Sequence, residues 1–191
     1  MWCVLENLGA MRYDLSMLTV IIECFDQESE LAQTLSALVA GAVEGIVSDV
    51  VVLDNGSHDG ISKIADAAGC RYHTTWDLRD VLTAARGEWL LLVEPGARPS
   101  QGWIDEIAEY VSLNSTPARF SPSRAHRQSF LKRVARRPPL LERGFLLPKA
   151  QALAIAKNGM KLTDLVAGLK GQALSSEMVP AWAARPARPR A

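Results

Sequence analysis

Val51-Val-Leu-Asp-Asn-Gly-Ser-His-Asp-Gly60 is the stretch on which the reading of this 191-residue chain turns. With the two residues before it, Asp49-Val-Val-Val-Leu53 is a short, almost unbroken β-branched run, the pattern of a strand buried on both faces. Asp54 to Gly60 is polar and glycine-containing, a loop by composition. Ile61 to Ala68 then reads as a helix, ended by Gly69. The same alternation extends outward. Upstream, Leu18-Thr-Val-Ile-Ile-Glu-Cys24 predicts a buried strand, and Asp26-Gln-Glu-Ser-Glu places acids where a helix N-terminus favours them. Leu31, Leu35 and Leu38 recur at helical spacing to about Ala40, where Gly41 and Gly45 break the pattern. Downstream come a short strand over Cys70 to His73, a helix over Leu78 to Ala85, a strand over Trp89-Leu-Leu-Leu-Val93 and a helix over Trp103 to Ser112. Strands that alternate with helices in this way imply βαβ units: an α/β fold with a mostly parallel central sheet.

The length argues for one domain, expected over residues 18–179 after an N-terminal extension at 1–17. Within it, 18–112 is the regular α/β half. Residues 113–179 form a shorter half interrupted by Pro117, Pro122, Pro138, Pro139 and Pro148, with a strand expected at Phe145 to Leu147 and helices at Lys149 to Lys157 and Thr163 to Lys170. Residues 180–191, rich in proline and arginine, read as a disordered basic tail. Cys3, Cys24 and Cys70 show no C-x-x-C spacing and suit buried thiols in a reducing compartment. No basic start precedes an apolar stretch, and no apolar run reaches the roughly 20 residues of a membrane span. A cytoplasmic chain is therefore expected. Neither a phosphate-binding G-x-x-x-x-G-K-[ST] loop nor a G-x-G-x-x-G turn is present.

In an open α/β sheet, ligands sit at the carboxyl ends of the strands. Polar groups fall at three such ends: Glu23 and Asp26, Asp54 to Asp59, and Glu94. An acid directly after a buried strand can accept a hydrogen bond from a ligand N–H, and Gly56 and Ser57 let the backbone come close. The same residues also suit an ordinary strand-to-helix turn with Asp59 as helix cap.

Three blocks in order resemble family 2 glycosyltransferases of the GT-A fold. They are Leu18-Thr-Val-Ile-Ile, Val51 to Gly60, and Ala85-Arg-Gly-Glu-Trp-Leu-Leu-Leu-Val-Glu94. The resemblance covers roughly residues 18–112 and implies a Rossmann-related α/β/α sandwich. It also implies transfer of a sugar from a nucleoside diphosphate donor, UDP-linked by preference, to an envelope polysaccharide or lipid-linked acceptor. Asp54 matches the acid that reads the donor base, Asp26 falls on the Asn of the first block, and Asn55, Gly56 and Ser57 complete the nucleotide-binding loop. Arg79 lies near the Arg of the family's Ala-Arg-Asn segment, which is otherwise missing. Asp164 is the nearest match to the general base of the acceptor half, and it equally suits a first-turn helix acid.

The match fails at the metal. Glu94 falls on the first acid of Asp-x-Asp, but the second, which holds Mn2+ or Mg2+ on the donor diphosphate, is Gly96, with Pro95 between. A hard cation needs oxygen ligands, and neither residue supplies a side-chain one. Glu94 either holds a metal through one carboxylate with phosphate and water or simply ends a strand before a turn. In the latter case Arg79 or Arg98 would face the diphosphate. The altered acids leave open a second class of function: a non-catalytic relative that binds a nucleotide sugar and serves a partner protein.

Net charge is zero, but residues 1–118 carry 6 basic and 18 acidic side chains and residues 119–191 carry 15 and 3. The basic excess concentrates at 119–143, with Arg127, Lys132, Arg133, Arg136 and Arg137 at its centre and Phe130, Leu131 and Val134 interleaved. That pattern suits an anionic membrane surface on the inner face, an anionic acceptor or a solvated helix face. Stacking aromatics are too scarce for nucleic acid. At about 1 kcal/mol per basic residue near an anionic surface, screened by salt, binding to liposomes should rise with anionic lipid and fall with added salt. Equal pelleting with neutral and anionic vesicles would reject membrane attachment.

Overall fold

Alternate residues of the central strands feed two separate cores, and this sets the architecture. The computed structural model describes residues 18–126 and 139–184. The strands are β1 (Leu18–Cys24), β2 (Val47–Asp54), β3 (Arg71–His73), β4 (Trp89–Val93), β5 (Arg98–Pro99), β6 (Ala118–Pro122), β7 (Phe145–Pro148) and β8 (Gln172–Val179). The helices are α1 (Glu28–Val43), α2 (Ile61–Ala67), α3 (Leu78–Ala84), α4 (Trp103–Leu113), α5 (Lys149–Ile155) and α6 (Leu162–Val166), followed by a 3-10 turn at Ala181–Ala184. Val20, Ile22, Val52, Leu91 and Val93 pack with Leu31, Leu35 and Leu38 of α1, Ile61 of α2 and Ile107 of α4. Ile21, Val51, Leu53, Leu90 and Leu92 pack on the opposite face with Leu78 and Leu82 of α3, Ala152 of α5 and Leu165 of α6. The result is an α/β/α sandwich.

The sheet runs β3-β2-β1-β4-β7-β6-β8-β5. Its first four strands are parallel, with β1 between β2 and β4. Beyond β4 the pairings with β7, and of β7 with β6, are antiparallel, while β6 and β8 run parallel. The expected mostly parallel sheet is thus realised in the half that the βαβ pattern predicts.

Three sequence expectations are revised. Helix α1 continues through Gly41 to Val43 rather than stopping near Ala40. A Cβ on Gly41 would stand 2.7 Å from the Trp103 ring, so this glycine serves the close approach of α4 rather than a helix end. The second late helix spans only Leu162–Val166, stopped before Gly168, which has φ 79°. Within the segment expected as a basic tail from residue 180, Ala181 and Ala184 are buried in a 3-10 turn; residues 185–191 lie outside the described ones. Cys24 and Cys70 are free thiols. Among the described residues no helix is long and apolar enough to cross a membrane.

At the amino ends of the parallel strands a polar network replaces apolar packing. Thr19, fully buried on β1, donates to Asp49 of β2 and accepts from the Gly87 N–H at 2.9 Å. Arg71 of β3 pairs with the other Asp49 oxygen and donates to the Ala84 carbonyl at the end of α3 at 3.1 Å. This ties four chain segments to one carboxylate. Gly87 fits only because it lacks a side chain: a Cβ there would lie 2.5 Å from the Thr19 nitrogen and 2.7 Å from the Leu18 carbonyl carbon. Backbone of the central strand cannot give way cheaply. Gly87→Ala should therefore destabilise by the upper end of roughly 1–3 kcal/mol, read as a lowered midpoint in urea unfolding. An unchanged midpoint would show that this packing is not tight.

Candidate functional site

Parallel register brings the expected polar groups to one edge. Cys24 lies opposite Asp54, and Ile22 opposite Val93, so the loops after β1, β2 and β4 leave the sheet side by side. Asp54 ends β2 and is 2% exposed. A buried carboxylate needs partners. Its Oδ1 accepts from the Ser57 backbone N–H at 3.0 Å and from the Ser57 hydroxyl, while its Oδ2 accepts from the Tyr72 hydroxyl of β3 at 2.6 Å. Burial pushes the Asp54 pKa up, but the bonds from Ser57, Tyr72 and the Gly56 backbone outweigh it and hold the group below the ordinary carboxylate value. The same contact raises the Tyr72 hydroxyl to about 12 through the hydrogen bond to Asp54, burial and the Asp54 charge.

The loops after β1 and β2 are stitched in both directions. Asp26, at φ 48°, is the sole described non-glycine residue with positive φ, a conformation that Asp tolerates better than most residues. Its N–H donates to the Ser57 hydroxyl at 2.9 Å, and its Oδ1 accepts from the His58 N–H at 2.7 Å. Asp59 accepts from the N–H groups of Glu28 and Ile61, so it caps the starts of α1 and α2 together. Glu28 returns the exchange by accepting from the Gly60 N–H at 2.9 Å. Asn55 donates to Glu23, whose other oxygen accepts from the Leu162 N–H at the start of α6. The acids make this edge electrically negative. Burial, then the charges of Asp54, Asp59 and Glu23, push the Cys24 thiol far above its ordinary range, which disfavours the thiolate.

At the end of β4 the chain turns at once, with the Ala97 N–H donating to the Glu94 carbonyl at 3.0 Å. Gly96 is buried at φ 95°, and its N–H donates to the Thr34 hydroxyl at 2.7 Å. A Cβ on Gly96 would stand 2.9 Å from both the Ala181 carbonyl oxygen and the Ala184 Cβ. The 3-10 turn therefore fills the space in which a second acid would stand. Among the described residues, no three His, Cys, Asp or Glu side chains gather so as to hold a metal. The residues present do not fit the Mn2+ or Mg2+ that the sequence resemblance implies.

Other expected site residues have partners within the fold. Arg79 donates to the carbonyls of Leu153 at 3.2 Å and Ala156 at 3.4 Å, at the end of α5. Asp164 accepts from the Lys161 N–H at 3.0 Å across the first turn of α6. Arg98 donates to Gln33, which donates to the Ala184 carbonyl at 3.2 Å. Arg127, Lys132, Arg133, Arg136 and Arg137 lie outside the described residues. Sequence reasoning missed Tyr72, Glu23 as a link to α6, and the 3-10 turn. An apolar Ala-Trp-Ala-Ala after Pro180 was the available signal for the last.

No family model matches the chain, and no curated protein matches it. Solved structures do. Glucosyl-3-phosphoglycerate synthase from Mycobacterium tuberculosis, in complex with Mn2+ and UDP-glucose, superposes with a TM-score of 0.52 at 15% identity over 71% of this chain and 57% of that one. The same enzyme in complex with UDP superposes with a TM-score of 0.51 at 16% identity, over 71% and 58%. The chain thus spans less than three fifths of those proteins' length, and at such identity the likeness establishes the fold: a GT-A-like, Rossmann-related α/β/α sandwich.

The Asp54 clamp has a signature in acid. A carboxyl held below its unfolded value of roughly 3.9 adds stability that is present above that pH and lost as pH falls through the folded value. Wild-type stability should fall on acidification below about pH 4, and Asp54→Asn should flatten that fall. Some slope should remain, because Glu106 is also held low: burial raises it, and bonds from Ser175 and Ser176 outweigh that. Identical slopes in the two proteins would show that Asp54 is not the group responsible.

Proposed function

We propose that this chain is a family 2-like glycosyltransferase that takes a sugar from a nucleoside diphosphate donor, UDP-linked, and passes it to an envelope polysaccharide or lipid-linked acceptor. It would work in the cytoplasm, peripheral to the inner membrane face through its basic segment. The observation that carries the reading is Asp54, held ionised at the carboxyl end of a central parallel strand. A carboxylate offers about four lone-pair positions; Ser57 and Tyr72 use three of them, and the Gly56 backbone takes the fourth. A uracil N–H would replace the Gly56 backbone contact through a small movement of Asn55 and Gly56. Donor binding without a two-acid metal site is the expected mode. The fold neighbours support the reading, since UDP or UDP-glucose is named in their complexes.

A second reading, a nucleotide-binding partner protein without turnover, draws on two observations: Gly96 packed under the 3-10 turn, and Asp164 bound across its own helix turn. Titration of UDP with Mn2+ and with a chelator, beside a donor-hydrolysis assay, separates the two. Losing one partner of a buried hydrogen bond costs about 1–3 kcal/mol, so Asp54→Ala should weaken UDP binding by roughly one to two orders of magnitude. Asp54→Asn, which keeps the shape but offers a donor, should weaken it similarly if the fold is retained. Absence of UDP binding at millimolar concentration would sink the donor-site reading. Brisk hydrolysis or transfer by the isolated chain would sink the non-catalytic one.

A further inference from the structure

A charged side chain taken out of water costs stability unless an opposite charge or a full set of hydrogen bonds goes with it. Arg119 of β6 is half-buried, and its partners do not meet that demand. Its Cζ lies 4.5 Å from the centroid of the Phe145 ring, a contact that offsets part of the cost. Its Nη2 donates to the Leu169 carbonyl at 3.2 Å, while its Nε is buried with no hydrogen-bond partner. Among the described residues the salt bridges join Arg71 to Asp49, Arg124 to Glu177 and His58 to Asp26, so no carboxylate answers Arg119. A second cation stands beside it instead. The Arg143 carbonyl accepts from the Phe120 N–H at 3.2 Å, which sets Arg143 against β6 next to Arg119. Burial, then the Arg143 charge, hold the Arg119 pKa below its ordinary value. Arg143 is also half-buried, and Glu142, beside it in the chain, accepts from Trp182 at 3.1 Å.

The pair stands at the same edge of the sheet as Asp54. Phe145 lies opposite Leu92 near the end of β4, and a Cβ on Gly144 would stand 3.4 Å from the Val93 side chain. The Leu169 carbonyl that holds Arg119 follows α6, and the first N–H of that helix, at Leu162, donates to Glu23 near the end of β1. The two cations therefore occupy the α6 side of the carboxyl edge. In the order β2-β1-β4-β7-β6 they are three and four strands from Asp54, roughly 14 to 19 Å at the usual strand spacing. That separation leaves the Asp54 loop free for one end of a ligand and puts the cations at its other end or on a second ligand. Arginine forks bind phosphate oxygens in pairs, and partial burial strengthens the contact. A phosphate group carries about −1.5 to −2 charges at neutral pH, which matches two cations where a single carboxylate does not.

We propose that Arg119 and Arg143 form a phosphate-binding pair on the α6 side of the carboxyl edge. That the phosphate belongs to a sugar donor or to its acceptor rests on the donor-site reading above; the binding of phosphate by the pair does not. The test titrates inorganic phosphate and pyrophosphate into the full chain at constant ionic strength with a chelator present. The wild type should bind pyrophosphate, and Arg143→Gln should weaken that binding by at least about tenfold, the loss expected of one charge-assisted fork. Arg119→Lys, which keeps the charge and loses the fork, should weaken it several-fold. Arg124→Gln, which removes an exposed cation paired with Glu177, should bind as the wild type does. Repeating the titration with saturating UDP names the source. Competition assigns the pair to the donor diphosphate, and joint binding assigns it to a phosphate on the acceptor. Pyrophosphate binding without any UDP binding would leave the pair standing and remove the donor-site reading. The inference falls, whatever UDP does, if the wild type binds neither anion at millimolar concentration or if Arg143→Gln binds pyrophosphate as the wild type does. It falls equally if Arg124→Gln loses as much affinity as Arg143→Gln, because the effect would then be one of net charge.

Discussion

A carboxylate buried at the end of a strand is the constraint on which this edge of the molecule depends. Asp54 is 2% exposed, and charge at such a place survives only if hydrogen bonds replace water. Ser57 supplies two of them from within the same loop, which fixes the turn from β2 toward α2. Tyr72 supplies the third from β3, which fixes the edge strand against β2. The Ser57 hydroxyl then accepts from Asp26, so the loop after β1 is held by the same group. One ionised side chain therefore sets the relative positions of three strand ends. Any ligand read by Asp54 meets a loop already ordered, which lowers the ordering cost of binding.

The two ends of the parallel strands divide the labour. At the amino ends, Thr19, Asp49, Arg71 and Gly87 form a buried polar network around one carboxylate. At the carboxyl ends the acids accept mostly from backbone N–H groups and hydroxyls, which leave their charge in place, and Gly56 and Gly60 lie in the loop after β2. Both ends use polar groups, but Thr19 is fully buried at the first while Asp26 and Asp59 of the second are exposed. Rigidity at one end lets the loops at the other be polar and exposed without loss of register.

Most of the fold was legible because the central strands are buried on both faces and so read as unbroken apolar runs. β1, β2 and β4 fall within two residues of where composition places them. β6 and β8 escaped notice for the opposite reason. Gln172-Ala-Leu-Ser-Ser-Glu-Met-Val179 is half exposed and lies near the sheet margin, so it lacks the apolar signal. Gly41 misled because a glycine required by the Trp103 ring looks in sequence like a helix stop. The site was legible in part. The position of Asp54 after a strand is a local property, and the sequence shows it. The partnership with Tyr72 depends on the β2–β3 register, and the use of Arg79 at the end of α5 depends on contacts across 74 residues or more, which no local pattern records.

Gly96 and the 3-10 turn are best understood as one feature. An acid at 96 would have to displace Ala181 and Ala184, and the residue sits at φ 95°, where a side chain is strained whatever the space. Removing the turn would not suffice, because the backbone would still favour glycine. Replacing the glycine would not suffice either, because Gln33 and Glu142 would still hold the turn in place. The exclusion of a side chain at 96 is therefore built into the packing of the chain.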